Sequence, residues 1–370
     1  MKEIFKGRVG LIQRVKPNYR VPFFDELALR SEKGFSLAAG QPLAIESIPD
    51  HRLLQHGDWF KTTNLHFLTP SHPLYLCYQK NIIGWLNQWD PDALIVEANF
   101  RYLSSYAAID WMVSRKRPVI GWGLGAKPLG GIIGTARDNF LKKFDALVAY
   151  STSGAAEYSA IGFSAEKIFV ARNAVVNAPL EGLETILSSS RAELPIKLLF
   201  VGRLQKRKNV DLLIRAVASL DQKIRPRLSI VGDGPEMESL RKLADSLPVQ
   251  VRFTGHLEGD ELEREFIQSN LFVLPGTGGL AVQQAMSFGL PVIVEEGDGT
   301  QNDLVSVENG WMLKRGDLDE LIGILQQALS TPEKLSTMGL VSLQIVKEEV
   351  NIQKMADVFV RALRSSELQS

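Results

Sequence analysis

Short runs of β-branched and aliphatic residues alternate with longer amphipathic segments along the whole chain. This alternation is typical of βαβ units, in which helices cover a parallel sheet. A surface helix is predicted over 235–246, where Pro235 stands at a first helical position and apolar residues recur on one face. Strands are predicted at 8–14, 35–39, 93–98, 118–122, 146–150, 197–202, 227–232, 250–254, 271–275 and 291–295.

The alternation breaks at 176–196, a stretch with three consecutive serines and two prolines. A second series of strands and helices starts at Lys197, so we expect a hinge between two Rossmann-like halves. A chain of 370 residues accommodates two such domains. Because open α/β sheets bind ligands beyond the carboxyl ends of their strands, two halves joined by a hinge predict a ligand cleft between them.

Composition and charge narrow the class of protein. Hydrophobic residues make up 45% and charged residues 23%, as in soluble globular proteins. The apolar runs are too short to span a bilayer, the start of the chain lacks a secretory signal, and the single cysteine, Cys77, fits a reducing compartment. The sequence therefore predicts a cytoplasmic protein.

The net charge is zero, but the two halves differ in sign. Residues 1–175 contain 21 Lys and Arg and 15 Asp and Glu, and the rest of the chain contains 21 Lys and Arg and 27 Asp and Glu. A net charge of +6 in the first half and −6 in the second favours an anionic surface as a partner of the first half. Neutrality overall, without a basic and aromatic stripe, argues against a nucleic-acid partner.

The loop that follows the predicted strand 197–202 carries four cations, Arg203, Lys206, Arg207 and Lys208, before a helix that begins near Val210. Fixed positive charge next to a helix N-terminus suits a phosphate group. Two neighbouring strands end in glycine turns, at Gly232 and just before His256. Solvated surface and ordinary turns remain the alternative reading for each of these loops.

A glycine-rich segment follows the predicted strand 271–275. Gly276-Thr277-Gly278-Gly279 precede a helix that begins at about Leu280. Consecutive backbone N–H groups in such a loop can bind an anion. An ordinary turn between a strand and a helix is again the alternative.

Four motifs in this order and spacing resemble the donor domain of glycosyltransferase family 4, whose members have the two-domain GT-B fold. They are GRL…K at 202–208, VGDGP at 231–235, VRFTG at 251–255, and AMSFGLPVI at 285–293 with GDGT at 297–300. The resemblance implies transfer of a sugar, with retention and without a metal or other cofactor, from a UDP- or GDP-linked donor. It also implies an N-terminal acceptor domain (1–180), a donor domain (181–350), and a last helix (351–370) that packs back on the first domain.

Carried over position by position, the resemblance makes Arg203 and Lys208 the cations that neutralise the donor diphosphate. Two family glutamates, separated by seven residues, are replaced here by Gly276 and Gln284, and a family histidine by Leu124. Gln284 can still bond the ribose. The remaining donor candidates are Gly202, Gly232, His256, Leu257, Thr277, Gly278, Gly279 and Leu280.

Two interpretations of these departures stay open. In an active transferase, the N–H groups of Thr277, Gly278 and Gly279 take over from the missing carboxylate. In a degenerate homologue, the protein binds a nucleotide or a partner without turnover. Other GT-B chemistry, such as an epimerase or a phosphorylase, is a third possibility.

The acceptor, a glycan, a lipid-linked group or a small molecule, is expected on the first domain. Glu97 either orients an acceptor hydroxyl or, as the pattern favours, pairs with Arg101. The acceptor-side candidates are Lys16, Asn18, Tyr19, Glu97, Asn99 and Arg101.

A helix over 127–144 is predicted to carry an apolar stripe flanked by cations. It either packs on the core or lies on an anionic membrane, which would place the protein at the inner face. The stripe consists of Ile132, Ile133, Phe140, Leu141 and Phe144, and the cations are Lys127, Arg137, Lys142 and Lys143. No metal site is predicted, because the histidines lack ligand spacing.

Overall fold

The structure is a computed structural model that describes residues 2–46, 48–70, 72–179, 195–297, 299–314 and 316–367. The described residues divide between two compact units. One unit holds the chain up to Val175 together with the residues from Ile352 onward, and the other holds Val176–Asn351. Most of the predicted hinge, residues 180–194, lies outside the described residues.

The first unit is built on strands with continuous apolar stretches, as in Ala93–Glu97, whose first four residues are buried. Such runs are typical of parallel strands covered on both faces. The strands are β1 (Val9–Val15), β2 (Phe35–Gly40), β3 (Asp58–Lys61), β4 (Asn64–Phe67), β5 (Leu76–Gln79), β6 (Ala93–Glu97), β7 (Val119–Gly123), β8 (Ala146–Ala149) and β9 (Ile168–Val170). Seven form a parallel sheet in the order β3-β2-β1-β6-β7-β8-β9, and β4 and β5 form an antiparallel pair.

Helices cover both faces of the first sheet. They are α1 (Val21–Ala28), α2 (Ile82–Trp89), α3 (Leu103–Val113), α4 (Gly131–Leu141) and α5 (Thr152–Ala160). Residues of α1 belong to the apolar cluster on one face of the sheet, and residues of α2 and α3 belong to the cluster on the other. The first unit is therefore a three-layer α/β/α domain.

The last described helix of the chain, Ile352–Glu367, also belongs to the first unit. Its apolar residues Met355, Phe359 and Leu363 recur every four positions and are buried. The Phe359 ring lies 5.0 Å from the rings of Phe23 and Trp122. These contacts dock the helix on the core of the first unit.

The second unit repeats the architecture with a parallel sheet of six strands. The strands are β10 (Lys197–Val201), β11 (Arg227–Val231), β12 (Val251–Gly255), β13 (Leu271–Leu274), β14 (Val292–Glu295) and β15 (Gly310–Leu313). The helices are α6 (Val210–Ser219), α7 (Met237–Asp245), α8 (Gly259–Ile267), α9 (Leu280–Ser287), α10 (Leu318–Ser330) and α11 (Pro332–Glu348), and the helix at Ile352–Glu367 is α12. The strand order is β12-β11-β10-β13-β14-β15, with parallel pairing throughout.

All ten predicted strands are present, with ends within one or two residues. The predicted helix over 235–246 is present as α7 but begins at Met237, so Pro235 lies in the turn before the helix and not at its first position. The helices expected near Val210 and Leu280 are α6 and α9. Of the described helices, none combines the length and the apolar character that a membrane crossing requires.

Candidate functional site

Each parallel sheet contains one place where the strand order reverses. In the first unit the reversal falls between β1 and β6, and in the second unit between β10 and β13. Connections leave these two strands toward opposite faces of the sheet, which opens a crevice at their carboxyl ends where α/β proteins bind ligands. The loops after β10 and β13 are the cationic and glycine-rich loops singled out from the sequence.

Lys208 joins these two loops. Its ammonium donates to the backbone oxygen of Thr277 at 2.6 Å, and the side chain is buried. Burial, together with the neighbouring charge of Arg207, lowers the pKa of Lys208 to about 8. Arg207 holds the same loop through a hydrogen bond of 2.9 Å to the Thr277 hydroxyl. The crevice of the second unit therefore contains a desolvated cation that lies against the glycine-rich loop.

Glycines let the strand ends pack backbone against backbone. Gly202 and Gly232 have φ of +157° and +133°, and a Cβ on Gly232 would lie 2.0 Å from the Gly202 oxygen. The Gly232 N–H donates to the Gly255 oxygen at 2.8 Å, which links β11 to β12. A Cβ on Gly278 would lie 2.3 Å from the Lys208 Nζ. These glycines shape the crevice through the absence of side chains.

Gly276, at the position of a family glutamate, packs on the cationic loop. A Cβ there would lie 2.4 Å from the Arg207 oxygen and 2.6 Å from the Lys208 Cα. No side chain fits at this position without movement of the loop backbone. The glycine is therefore part of the packing between the two loops, a role that its sequence position did not reveal.

The Thr277 N–H, one of the three expected to replace the missing carboxylate, already has a partner within the protein. That N–H donates to the Arg207 oxygen at 3.2 Å, because the two loops pair along their backbones. Gly278 and Gly279 remain as the backbone donors of the glycine-rich loop.

Asn209 is a residue whose role the sequence analysis missed. It has φ of +50°, and its amide donates to the Pro275 oxygen at 3.0 Å and to Glu295 Oε2 at 2.9 Å. Glu295, also missed, is buried at the end of β14. Asn209 thus ties the ends of three neighbouring strands. An asparagine directly before a helix was the available signal, since asparagine tolerates a left-handed backbone.

The other donor candidates lie around the same edge of the sheet. Arg203 is exposed, and His256 is exposed with its Nε2 at 3.0 Å from Glu258 Oε1. Leu257 packs on the core of the second unit. Leu280 opens α9, and Gln284 is partly exposed one turn later. Across the described ranges, His, Cys, Asp and Glu side chains form no group of three suited to a metal ion.

Charged residues also lie at the strand reversal of the first unit. Arg14, on β1, forms a two-point ion pair with Glu46, with N–O distances of 3.0 and 2.5 Å. Glu97, at the end of β6, accepts the Arg14 backbone N–H at 3.1 Å. Burial raises the pKa of Glu97, although the Arg14 N–H and charge oppose the rise. The pairing of Arg14 with Glu46 was not predicted, because 32 residues separate the two in sequence.

The favoured pairing of Glu97 with Arg101 is not formed. Glu97 instead reaches back to β1, while Arg101 lies beside the Phe100 ring, 5.7 Å from its centroid. A tight turn separates the two, in which Asn99 Oδ1 accepts the Arg101 N–H at 3.1 Å. The other interpretation, in which Glu97 orients a hydroxyl, stays a prediction.

The remaining acceptor-side candidates differ in accessibility. Lys16 is fully buried, donates to the backbone oxygens of Asp50 and Arg52 at 2.8 and 2.5 Å, and has a pKa lowered by burial. Asn18 accepts the Arg52 N–H at 2.8 Å, so both residues hold the chain near residue 50. Tyr19 is 45% exposed and is therefore accessible to a ligand.

The predicted amphipathic stripe over 127–144 divides into two parts. Phe140, Leu141 and Phe144 are buried in the core, as the core-packing interpretation requires. Ile132 and Ile133 are 89% and 51% exposed. The first turn of α4 therefore presents apolar side chains to solvent.

Comparison with known proteins finds similarity to glycosyltransferases. Residues 185–339 match the family model of glycosyl transferases group 1. The sulfoquinovosyl transferase SQD2 of Arabidopsis thaliana is 32% identical over 159 residues, which cover 41% of this chain and 30% of that protein. A GDP-mannose-dependent phosphatidylinositol monomannoside mannosyltransferase of Mycolicibacterium smegmatis is 28% identical over 152 residues, 38% of this chain and 40% of that protein. The chain thus spans less than half the length of these relatives.

Solved structures extend the similarity to almost the whole chain. The Anabaena protein Alr3699/HepE, crystallised with UDP, superposes with a TM-score of 0.72 at 17% identity over 98% of this chain and all of that one. The lipopolysaccharide outer core galactosyltransferase WaaB superposes with a TM-score of 0.69 at 16% identity, and the match covers 97% of this chain and 99% of that one. The chain shares the GT-B fold with these two proteins, and the predicted fold class is confirmed.

Proposed function

We propose that the protein is a glycosyltransferase that moves a sugar from a nucleotide-diphosphate sugar to a hydroxyl group of an acceptor. The observation that carries this proposal is the buried Lys208 ammonium between the cationic and glycine-rich loops at the strand reversal of the second unit. A cation with a lowered pKa in a desolvated crevice gains more from an anionic ligand than a solvated lysine does. The matching family model over residues 185–339 supports the same activity.

In the proposed reaction, the bond between the anomeric carbon and the diphosphate breaks, the acceptor oxygen forms a new bond to that carbon, and the hydroxyl proton passes to the leaving diphosphate. Arg203 and Lys208 stabilise the negative charge that grows on the leaving diphosphate, so the protein itself meets this charge without a metal. Gln284 binds the ribose, and the N–H groups of Gly278 and Gly279 bind the sugar. Retention of the anomeric configuration is part of the proposal.

On the first unit, Glu97 is proposed to orient the acceptor hydroxyl. Its carboxyl is held by the Arg14 N–H at the strand reversal, and its raised pKa makes it a strong hydrogen-bond acceptor once ionised. Tyr19 is exposed beside this edge and offers a second contact. Lys16 is proposed to act indirectly, by holding the chain near residue 50.

Calorimetric titration with UDP, GDP, ADP and their common sugars tests the donor site, followed by hydrolysis and transfer assays on the donor that binds. We expect micromolar binding of one nucleotide and slow hydrolysis of its sugar. Arg203→Ala is expected to slow turnover, because the activation free energy of transfer should rise by about 2.7 to 4 kcal/mol, by analogy with other transition-state donors. Lys223→Ala, an exposed cation away from the loops, is the matched control.

Two outcomes of these assays contradict the proposal. A fully active Arg203→Ala variant would remove Arg203 from the donor site. Absence of binding to every nucleotide would instead support a degenerate GT-B protein that binds a partner.

We also propose that the first unit contacts an anionic membrane through an apolar patch near α4. The patch consists of Leu124, Leu129, Ile132 and Ile133, each at least 49% exposed. Exposed Lys127 precedes α4 and exposed Lys142 follows it, and residues 1–175 carry a net charge of +6. Apolar side chains with neighbouring cations are typical of surfaces that insert into the headgroup region of anionic bilayers. A membrane-linked acceptor would be within reach of such a protein.

Sedimentation with vesicles tests this contact. We expect binding to vesicles that contain phosphatidylglycerol and weaker binding to phosphatidylcholine alone. The double variant Ile132→Ser and Ile133→Ser should lose binding, whereas Val307→Ser, at a 92% exposed aliphatic position on the second unit, should not. The membrane contact would be refuted if the parent protein and both variants sedimented equally, or if the parent protein did not sediment with either kind of vesicle.

A further inference from the structure

A second cationic region lies on the second unit, away from the glycine-rich loops. A groove of about 890 Å³ is lined by the first residues of β10, β11 and β12 and by the last turns of α7 and α8. In a parallel sheet, all strands begin at one edge and end at the opposite edge. The groove is therefore at the opposite edge of this sheet from the proposed diphosphate site.

Three cations lie on one face of the sheet in this groove. Lys197 and Arg227 are register partners on neighbouring strands, and Arg252 is the register partner of Ser229, two residues beyond Arg227. Because side chains alternate between faces and register partners share a face, Lys197, Arg227 and Arg252 project to the same side. Neighbouring strands are only about 4.8 Å apart, so the positive charges are close together.

Carboxylates compensate only part of this charge. Arg252 forms an ion pair with Glu265 of α8 and contacts the Ser229 hydroxyl through Nε and Nη2 at 3.3 and 3.2 Å. Among the residues that the structure describes, no carboxylate lies within ion-pair distance of Lys197 or Arg227. Like charges on directly paired residues are unfavourable in a sheet. A bound anion would remove this repulsion.

The groove also has lining residues on the opposite face of the sheet, across the edge strand β12. Val251 and Phe253 alternate with Arg252 and therefore project to that other face, where Arg241 of α7 places its guanidinium 5.3 Å from the centre of the Phe253 ring. On the face that carries Lys197, Arg227 and Arg252, the lining includes one carboxylate, Glu265, which pairs with Arg252. Its volume lies within the range of about 300 to 1,000 Å³ that small-molecule sites occupy.

From these observations we infer that this groove binds a phosphate-bearing anion of two or more charges, with Lys197 and Arg227 as the principal contacts. Guanidinium groups match phosphate oxygens in a two-point geometry, and lysine adds a point charge. The site is separate from the proposed donor site, so it does not depend on the proposed function. A ligand here would stabilise the second unit by mass action.

Calorimetry with inorganic tripolyphosphate tests the inference on the full chain. Tripolyphosphate is expected to bind the proposed diphosphate site as well, so the measurement is made on an Arg203→Ala, Lys208→Met background. We expect binding to persist there, and the added pair Lys197→Gln and Arg227→Gln to weaken it about a hundredfold, or about tenfold for each cation. Lys223→Gln, an exposed cation outside the groove, should have no effect.

Two further measurements make the result decisive. Arg227→Lys retains the charge but not the two-point geometry, so its affinity should lie between those of the parent and of Arg227→Gln. Such a graded loss separates an effect on the contact from loss of the fold. Vesicles of phosphatidylcholine with phosphatidic acid distinguish a lipid headgroup from a soluble phosphate, since only the former would make the protein sediment in a Lys197- and Arg227-dependent way. The inference is overturned if tripolyphosphate fails to bind the background variant, or binds it regardless of Lys197 and Arg227.

Discussion

The lowered pKa of Lys208 predicts how nucleotide-sugar binding changes with pH. Desolvation and the charge of Arg207 bring this pKa from 10.5 to about 8, so keeping the ammonium charged costs the free protein about 3 kcal/mol. A diphosphate next to Nζ favours the charged form and raises the pKa again. Binding is therefore strongest where Lys208 is already protonated, below about pH 8, and is coupled to proton uptake above it.

The magnitude follows from the titration. At about pH 7 roughly a tenth of Lys208 is neutral, and at about pH 9 roughly nine-tenths, so affinity should fall about tenfold between these values if only the charged form binds. Calorimetry with a nucleotide sugar at both pH values measures the change. Lys208→Met is the matched control, because it fills the same space without a titrating group. Subtraction of its pH dependence removes any effect of nucleobase ionisation.

The same shift has the opposite sign for the stability of the free protein. The folded pKa of Lys208 lies below its unfolded value, so the unfolded chain binds more protons between about pH 8 and 10.5. The free energy of unfolding of the parent protein should therefore increase, relative to that of Lys208→Met, as pH rises through this window. Equal affinity at about pH 7 and 9, or the same pH dependence in Lys208→Met, would refute the placement of a desolvated ammonium at the diphosphate.

Three further substitutions test the loops and the fold. In Gly276→Ala the new Cβ would overlap the backbone of Arg207 and Lys208. This variant should bind nucleotide more weakly and lose more than about 1 kcal/mol of unfolding free energy in denaturant titration. Unchanged binding and stability would contradict the packing of the two loops. Asn209→Ala should cost about 1 to 3 kcal/mol, since the bonds to Pro275 and Glu295 are lost, and Asn209→Gly, which tolerates the positive φ, should cost less. Ser151→Ala removes the hydroxyl that accepts the Gly154 N–H at the start of α5 and should lower the free energy of unfolding by about 1 kcal/mol, measured by thermal denaturation. Ser151→Asp, which restores an acceptor, should recover most of this loss.

Five of the described strands were not predicted, β3, β4, β5, β9 and β15, and each has only three or four residues. The hairpin β4–β5 contains polar residues such as Asn64 and His66, and alternates between exposed and covered positions. Strand β15, Gly310–Leu313, has four residues and lies at the edge of its sheet. A run of three or four residues is too short to establish the period of a strand, so such elements give a weak signal in the sequence.

The candidate site was predictable to the extent that it depends on local sequence. Glycine turns and cations beside a predicted helix start at Gly202–Lys208 and Gly276–Gly279 identified both loops of the second unit. Contacts between distant segments were not predictable. Asn209 with Glu295, and Arg14 with Glu46, are brought together only when neighbouring strands pair.

The sequence by itself determined the order of strands and helices, the two α/β halves and the loops that follow each strand, because periodicity and turn chemistry act over a few residues. Tertiary structure alone decided which charges are buried. Lys16 and Lys208 stand in cationic loops that look alike in sequence. In the structure, Lys16 donates to a backbone oxygen at Asp50, whereas Lys208 donates to the Thr277 oxygen of the glycine-rich loop. Burial and the partners of a charge depend on segments far apart in the chain, and those two factors set its pKa and its chemistry.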